Sequence, residues 1–142
     1  MKFLNIGLLL LFVSCSNIES LEAPLNKESI DWKNKDHVIF LPYRGCSVCL
    51  NKALGFLKKN ESNKNIQFVF INYESKKEIG IRLRVKYQIN DLSPFKFIED
   101  PSDFYENGVS NFYPSIISIN SSRIESLTIA DPKSLNIWED LP

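Results

Sequence analysis

Apolar and polar positions fall in short blocks along this chain, and the blocks predict its elements. His37–Leu41 is a compact apolar run with a β-branched pair, which predicts a buried strand. Pro42-Tyr43-Arg44-Gly45 ends that strand in a turn. From Cys46 onward the apolar positions are Leu50, Ala53, Leu54 and Leu57, the spacing of one helix face. Lys58, Lys59 and Asn60 then supply the cations and the stop that suit a helix C-terminus. Ile66–Ile71 is almost wholly apolar, as expected of a strand in a parallel sheet covered on both faces.

The middle of the chain reads two ways. Ser75 and Glu78 have capping-box spacing and predict a helix running to about Tyr87. Yet Ile79, Ile81, Leu83, Val85 and Tyr87 alternate strictly, which is the period of a strand. Helix is preferred, because a strand, a crossover helix and a parallel strand suit the neighbours better. Pro94–Ile98 predicts a short strand closed by a turn at Asp100-Pro101-Ser102-Asp103. Tyr113–Asn120 enters a strand through Pro114, and Arg123–Ile129 returns as the second arm of a hairpin. Asp131-Pro132 predicts an N-cap and first helical residue opening a last helix toward Trp138. The order is β-α-β-α-β-β-α, an α/β chain.

Length and charge bound the picture. The chain has 142 residues, 44% hydrophobic, with 17 basic and 17 acidic side chains. That length suits one domain with one core. A net charge of zero, with no evident Lys/Arg stripe, argues against nucleic acid or an anionic membrane face as the main partner.

The N-terminus adds a location. Lys2 precedes an apolar run, Phe3–Val13, that ends in Val13-Ser14-Cys15. The run falls short of the roughly 20 residues that span a bilayer, and it reads as the core of a secretory signal. A cysteine directly after small residues resembles a bacterial lipobox, in which that cysteine becomes the lipidated first residue of the mature chain. Residues 1–15 are therefore expected to be a signal segment ending at the lipidation residue Cys15. Residues 16–35 should form a tether and lead-in, and 36–142 the folded domain. Location is then the cell envelope, lipid-anchored and facing the periplasm or exterior. With Cys15 set aside, the three cysteines reduce to one pair, Cys46 and Cys49, in a compartment where disulfides form and persist.

That pair carries the chemistry. Cys46-Ser47-Val48-Cys49 joins the first predicted strand to the first predicted helix. A helix N-terminus favours negative charge, so Cys46 should ionise more readily than a free thiol. The thiolate is the nucleophile of disulfide exchange, and Cys49 sits one turn on, where it can close on the same sulfur. Arg44, two residues earlier, is a candidate to stabilise that thiolate; a solvated turn residue is the plainer reading. His37 is the sole histidine, and with two cysteines it falls short of a three- or four-ligand metal site. No metal and no organic cofactor is expected. One histidine outside any motif also leaves no catalytic triad.

The element order, a CxxC after the first strand and a Tyr113-Pro114 before the hairpin together resemble the thioredoxin superfamily, most closely short lipid-anchored members of Gram-negative envelopes. The resemblance implies a thioredoxin-like fold, a central mixed sheet flanked by helices. It implies that Cys46 attacks, Cys49 resolves, and a cis-proline at Pro114 faces the pair across a substrate groove. Tyr113, Tyr43 and Phe112 are candidate groove residues beside it. Ser47-Val48 stand where thioredoxin has Gly-Pro, and thioredoxin's buried aspartate would fall near Ile39. The expected function is thiol–disulfide exchange with envelope protein thiols and disulfides. The alternative is a non-catalytic binding module on the same scaffold, with a static disulfide.

Overall fold

The computed structural model describes residues 17–142. Cys15 and the apolar run before it lie outside the described residues. A five-stranded mixed sheet forms the centre: β1 (His37–Pro42), β2 (Ile66–Ile71), β3 (Lys96–Phe97), β4 (Ser115–Asn120) and β5 (Arg123–Ile129). Its spatial order is β3-β2-β1-β4-β5. β1 pairs parallel with β2, and β2 parallel with β3. On the other side β4 runs antiparallel to β1, and β5 antiparallel to β4. This is a mixed α/β architecture in a thioredoxin-like arrangement.

Side chains alternate across each strand, so the sheet feeds two cores. Ile39, Leu41, Phe68, Phe70 and Ile116 face one core, and α2 (Ser47–Lys59), α3 (Lys76–Tyr87) and α5 (Ile137–Asp140) close it. Val38, Phe40, Val69, Ile71 and Ile117 face the other. That second layer is built by a 3-10 turn (Asn17–Leu21), α1 (Glu22–Lys27), Trp32 and α4 (Ser102–Glu106). Aromatic pairs knit both layers, among them Phe40 with Phe104 and Phe56 with Trp138.

The segment expected to be a tether is packed where it is described. Leu21 and Leu25 have no exposed surface, and Trp32 donates its indole N–H to Asn26 Oδ1 at 3.0 Å. The 3-10 turn begins at Asn17, two residues beyond Cys15 in the sequence.

α3 is a helix, and its packing explains the alternation. Ile79 and Leu83 are buried and Tyr87 packs beside them, one helical stripe at i, i+4, i+8. Ile81 and Val85 form a second stripe that faces solvent, 51% and 79% exposed. Two stripes on opposite helix faces, offset by two residues, imitate the period of a strand. Ser75 caps the helix by accepting from the Lys77 N–H at 3.1 Å.

One expectation is extended and one changes. Asp100 does turn the chain after β3, accepting from the Ser102 N–H at 3.2 Å, but the turn continues into the short helix α4, whose Phe104 fills the second core. Asp131-Pro132 does not open the last helix. Asp131 accepts from Lys133 N–H and Ser134 Oγ and caps a turn, while regular helix is confined to Ile137–Asp140. Trp138, the residue that pins this end, lies in that short helix and is buried.

Candidate functional site

Cys46 and Cys49 form a disulfide at the junction of β1 and α2, with their Cα atoms 5.2 Å apart. Cys46 is the N-cap of α2 and is partly exposed, whereas Cys49 has 0% exposure. The asymmetry follows from the helix. Cys49 sits on the same face as Leu50, Ala53 and Leu54, which pack into the core, while Ser47 and Val48 point outward. The Cys49 N–H donates to Cys46 Sγ at 3.2 Å, and the Cys46 carbonyl accepts from Leu50 N–H at 2.8 Å. Cys46 sulfur is thus held against an N-terminal donor of a helix, the position where negative charge is most favoured. A thiolate there would turn the contact into a charge-assisted hydrogen bond.

Three loops meet around the pair. The Cys46 N–H donates to the Phe112 carbonyl at 2.9 Å, which brings the loop before β4 onto the disulfide. Asn72, at the end of β2, ties the loops together. Its Nδ2 donates to the Arg44 carbonyl at 2.7 Å and the Asn111 carbonyl at 2.8 Å, and its own carbonyl accepts from Arg44 N–H at 3.0 Å. Its φ of +50° is the left-handed conformation that asparagine tolerates better than most residues. Composition and spacing gave no reason to single out Asn72; an asparagine directly after a buried strand was the available signal.

The remaining candidates are placed as follows. Tyr43 is half-buried against the α2–α3 core, with the Arg82 guanidinium 5.5 Å from its ring centroid. Tyr113 is half-buried, its ring 5.0 Å from that of Phe112, which is exposed. Pro114 is buried, and its carbonyl accepts from Ala130 N–H at 2.9 Å, so it belongs to the hairpin. Among the described residues there is no cis peptide bond, so the cis-proline that the resemblance implied is not found at Pro114. The loop's hydrogen bond to Cys46 comes instead from Phe112, two residues earlier. Arg44 forms an exposed ion pair with Glu74. His37 lies at the far end of β1, its Nδ1 3.3 Å from Ser118 Oγ, a strand's length from the disulfide.

Among the described residues no acidic or basic side chain is buried, and the buried polar one is Ser115. Its hydroxyl oxygen accepts from Ser110 N–H at 3.0 Å and shapes the same loop. No group of three or more His, Cys, Asp and Glu gathers among the described residues. A groove of about 840 Å3 opens at the opposite end of the sheet, floored by Phe68 and Phe95, and does not touch the cysteines.

Compared with protein-family models, curated proteins and solved structures, the chain finds no match in any of the three.

Proposed function

We propose that this protein is a thiol–disulfide oxidoreductase of the bacterial envelope, working through Cys46 and Cys49. The observation that carries the reading is the difference between the two sulfurs: one partly exposed at a helix N-cap, the other buried beside it. In the reducing direction the Cys46 thiolate attacks a client disulfide, forming a mixed disulfide and expelling one client thiolate. Cys49, deprotonated, then attacks Cys46 Sγ, re-forming the intramolecular bond and releasing the second client thiolate. Two electrons pass from the pair to the client, and the oxidising direction is the reverse. Cys15 is proposed to carry the lipid that holds the domain to a membrane.

The test is trapping. A Cys49→Ser variant should accumulate mixed disulfides at Cys46 in envelope extracts, resolved by reductant, while Cys46→Ser should not. An absence of adducts with both variants would remove the exchange reading.

One observation favours the second reading, a binding module with a static bridge. Among the described residues no acidic or basic side chain is buried in the core, so none of them stands ready within it to take the Cys49 proton. A reduction potential below about −300 mV, together with no exchange, would select that reading.

A further inference from the structure

Zero net charge over the chain conceals a local excess. α3 carries Lys76, Lys77, Arg82, Arg84 and Lys86 against one acid, Glu78. Among the described residues none of these six side chains has an ion-pair partner within 4 Å, whereas Arg44, just before the disulfide helix, and Lys52, on it, are paired with Glu74 and Glu139. Two of the unpaired cations converge. Arg82 Nη2 donates to Asn51 Oδ1 at 2.7 Å, Lys86 Nζ to the same oxygen at 3.2 Å, and Tyr87 Oη at 3.3 Å. One neutral amide oxygen has two lone pairs, so three donors on it, two of them charged, exceed what it satisfies and leave the charge unneutralised.

Position gives that cluster a role. Asn51 is five residues along α2 from Cys46, roughly 7 Å of helix rise. Arg82 also lies over Tyr43, in the turn that leads into Cys46. Among the described residues, Val48 on α2, Ile81 and Val85 on α3, and Phe112 are the large hydrophobic side chains left exposed.

We propose that Arg82 and Lys86 form an anion-binding rim that selects protein clients carrying an Asp or Glu carboxylate close to their reacting cysteine. The carboxylate displaces Asn51 from the two cations while client apolar side chains cover Val48 and Ile81. The inference names the client class of the exchange reaction and rests on that reading. Charge complementarity decides for a carboxylate over a neutral client, and adjacency to Cys46 decides for a client peptide over a lipid surface.

Binding without exchange separates the two claims. Ten-residue peptides with Ser in place of the client cysteine are scanned with Glu, Gln or Lys at each position around it. Their affinity for the full oxidised chain is read by fluorescence anisotropy. Glu should bind more tightly than Gln at one or two positions, by roughly two- to fivefold per cation engaged, and the preference should vanish at 0.5 M salt, a concentration at which the screening length is only a few Å. The double variant Arg82→Gln/Lys86→Gln should lose the preference. Asn51→Asp should lose it too, since it supplies a carboxylate from within while keeping both cations. Equal affinity for Glu and Gln peptides at every position, no binding at all, or an unchanged preference in Asn51→Asp overturns the proposal. Binding to vesicles rich in anionic lipid without peptide discrimination overturns it as well, and assigns the surface to a membrane. Failed trapping with retained Glu preference sinks the exchange reaction and leaves the rim.

Discussion

The main-chain N–H of Cys46 and the carbonyl of Phe112 are hydrogen-bonded at 2.9 Å, and Gly45 is the residue that lets them meet. A Cβ on residue 45 would stand 2.1 Å from the Phe112 oxygen and 2.9 Å from its carbonyl carbon. Both are backbone atoms of a loop tied down by Asn72, so they cannot swing aside as a side-chain tip would. The glycine before the first cysteine is therefore a packing requirement of the site.

Gly45→Ala should push the Phe112 loop away from α2. We expect a loss of roughly 1–3 kcal/mol in unfolding free energy, in the range of overpacking against fixed atoms. Urea titration measures it, and a change below about 0.5 kcal/mol would show that the loop yields freely.

Asn72→Gly isolates the side chain of Asn72, because glycine accepts the positive φ without strain. What is removed is the pair of donors to the Arg44 and Asn111 carbonyls. The position is half-buried, so water partly replaces the amide, and the cost should be about 1–2 kcal/mol. Faster protease nicking at residues 109–113 should accompany it. Asn72→Ala should cost more, since it adds backbone strain. Equal stability of the two variants would place the effect elsewhere.

The course of the chain through the sheet was legible because burial enforces period. His37–Leu41 and Ile66–Ile71 are apolar at nearly every position because both faces of the sheet are covered, and Leu50, Ala53, Leu54 and Leu57 mark one helix face. The disulfide pair was legible for a local reason too, its place at a strand-to-helix junction. What was not legible depends on contacts distant in sequence. Asn72 matters only because Arg44 and Asn111 come to it across 28 and 39 residues. The convergence of Arg82 and Lys86 on Asn51 likewise needs two helices side by side. α4 escaped because Asp-Pro opens turns and short helices alike, and Phe104 alone, buried against Phe40, distinguishes them.

The packed lead-in segment makes Leu25 a core residue. It is fully buried among Leu21, Trp32 and the sheet, so Leu25→Ala should cost roughly 2–5 kcal/mol of the whole domain's stability. Guanidinium unfolding followed by Trp fluorescence reads it. A change below about 0.5 kcal/mol would mean that the segment lies on the domain without contributing to its fold.

His37 gives stability a pH slope. Burial holds its pKa below the usual 6.5, and the neighbouring Asp36 opposes the shift without cancelling it. Well above pH 6.5 the imidazole is neutral in both states and the folded form bears no penalty. As pH falls from there toward the folded pKa, the unfolded chain binds the proton first, and stability declines. The ring is half exposed, so the slope is shallow. His37→Gln should flatten it between pH 7 and 5 relative to the parent chain. An identical slope in the variant would assign the decline to other groups.

If Cys15 carries a lipid as proposed, the place of the 3-10 turn on the sheet sets the orientation at the membrane. The 3-10 turn Asn17–Leu21 packs on β5, and Glu19 and Glu22 share a recess with Arg123 and Ile124 at the start of that strand. Through β4, this end of the sheet is the His37 end of β1, while Cys46 lies past the other end. A six-residue strand spans about 20 Å. Cys15 is two residues from Asn17, and two extended residues reach at most about 7 Å. A lipid on Cys15 would therefore hold the Arg123 end at the bilayer and present the disulfide away from it, toward soluble clients. Probes attached at residue 123 and at Cys46 of the reduced protein on vesicles should differ accordingly: lipid-borne quenchers should dim the first strongly and leave the second nearly unchanged. Equal quenching at both would mean that the domain lies on its side, with the sulfur pair against the headgroups.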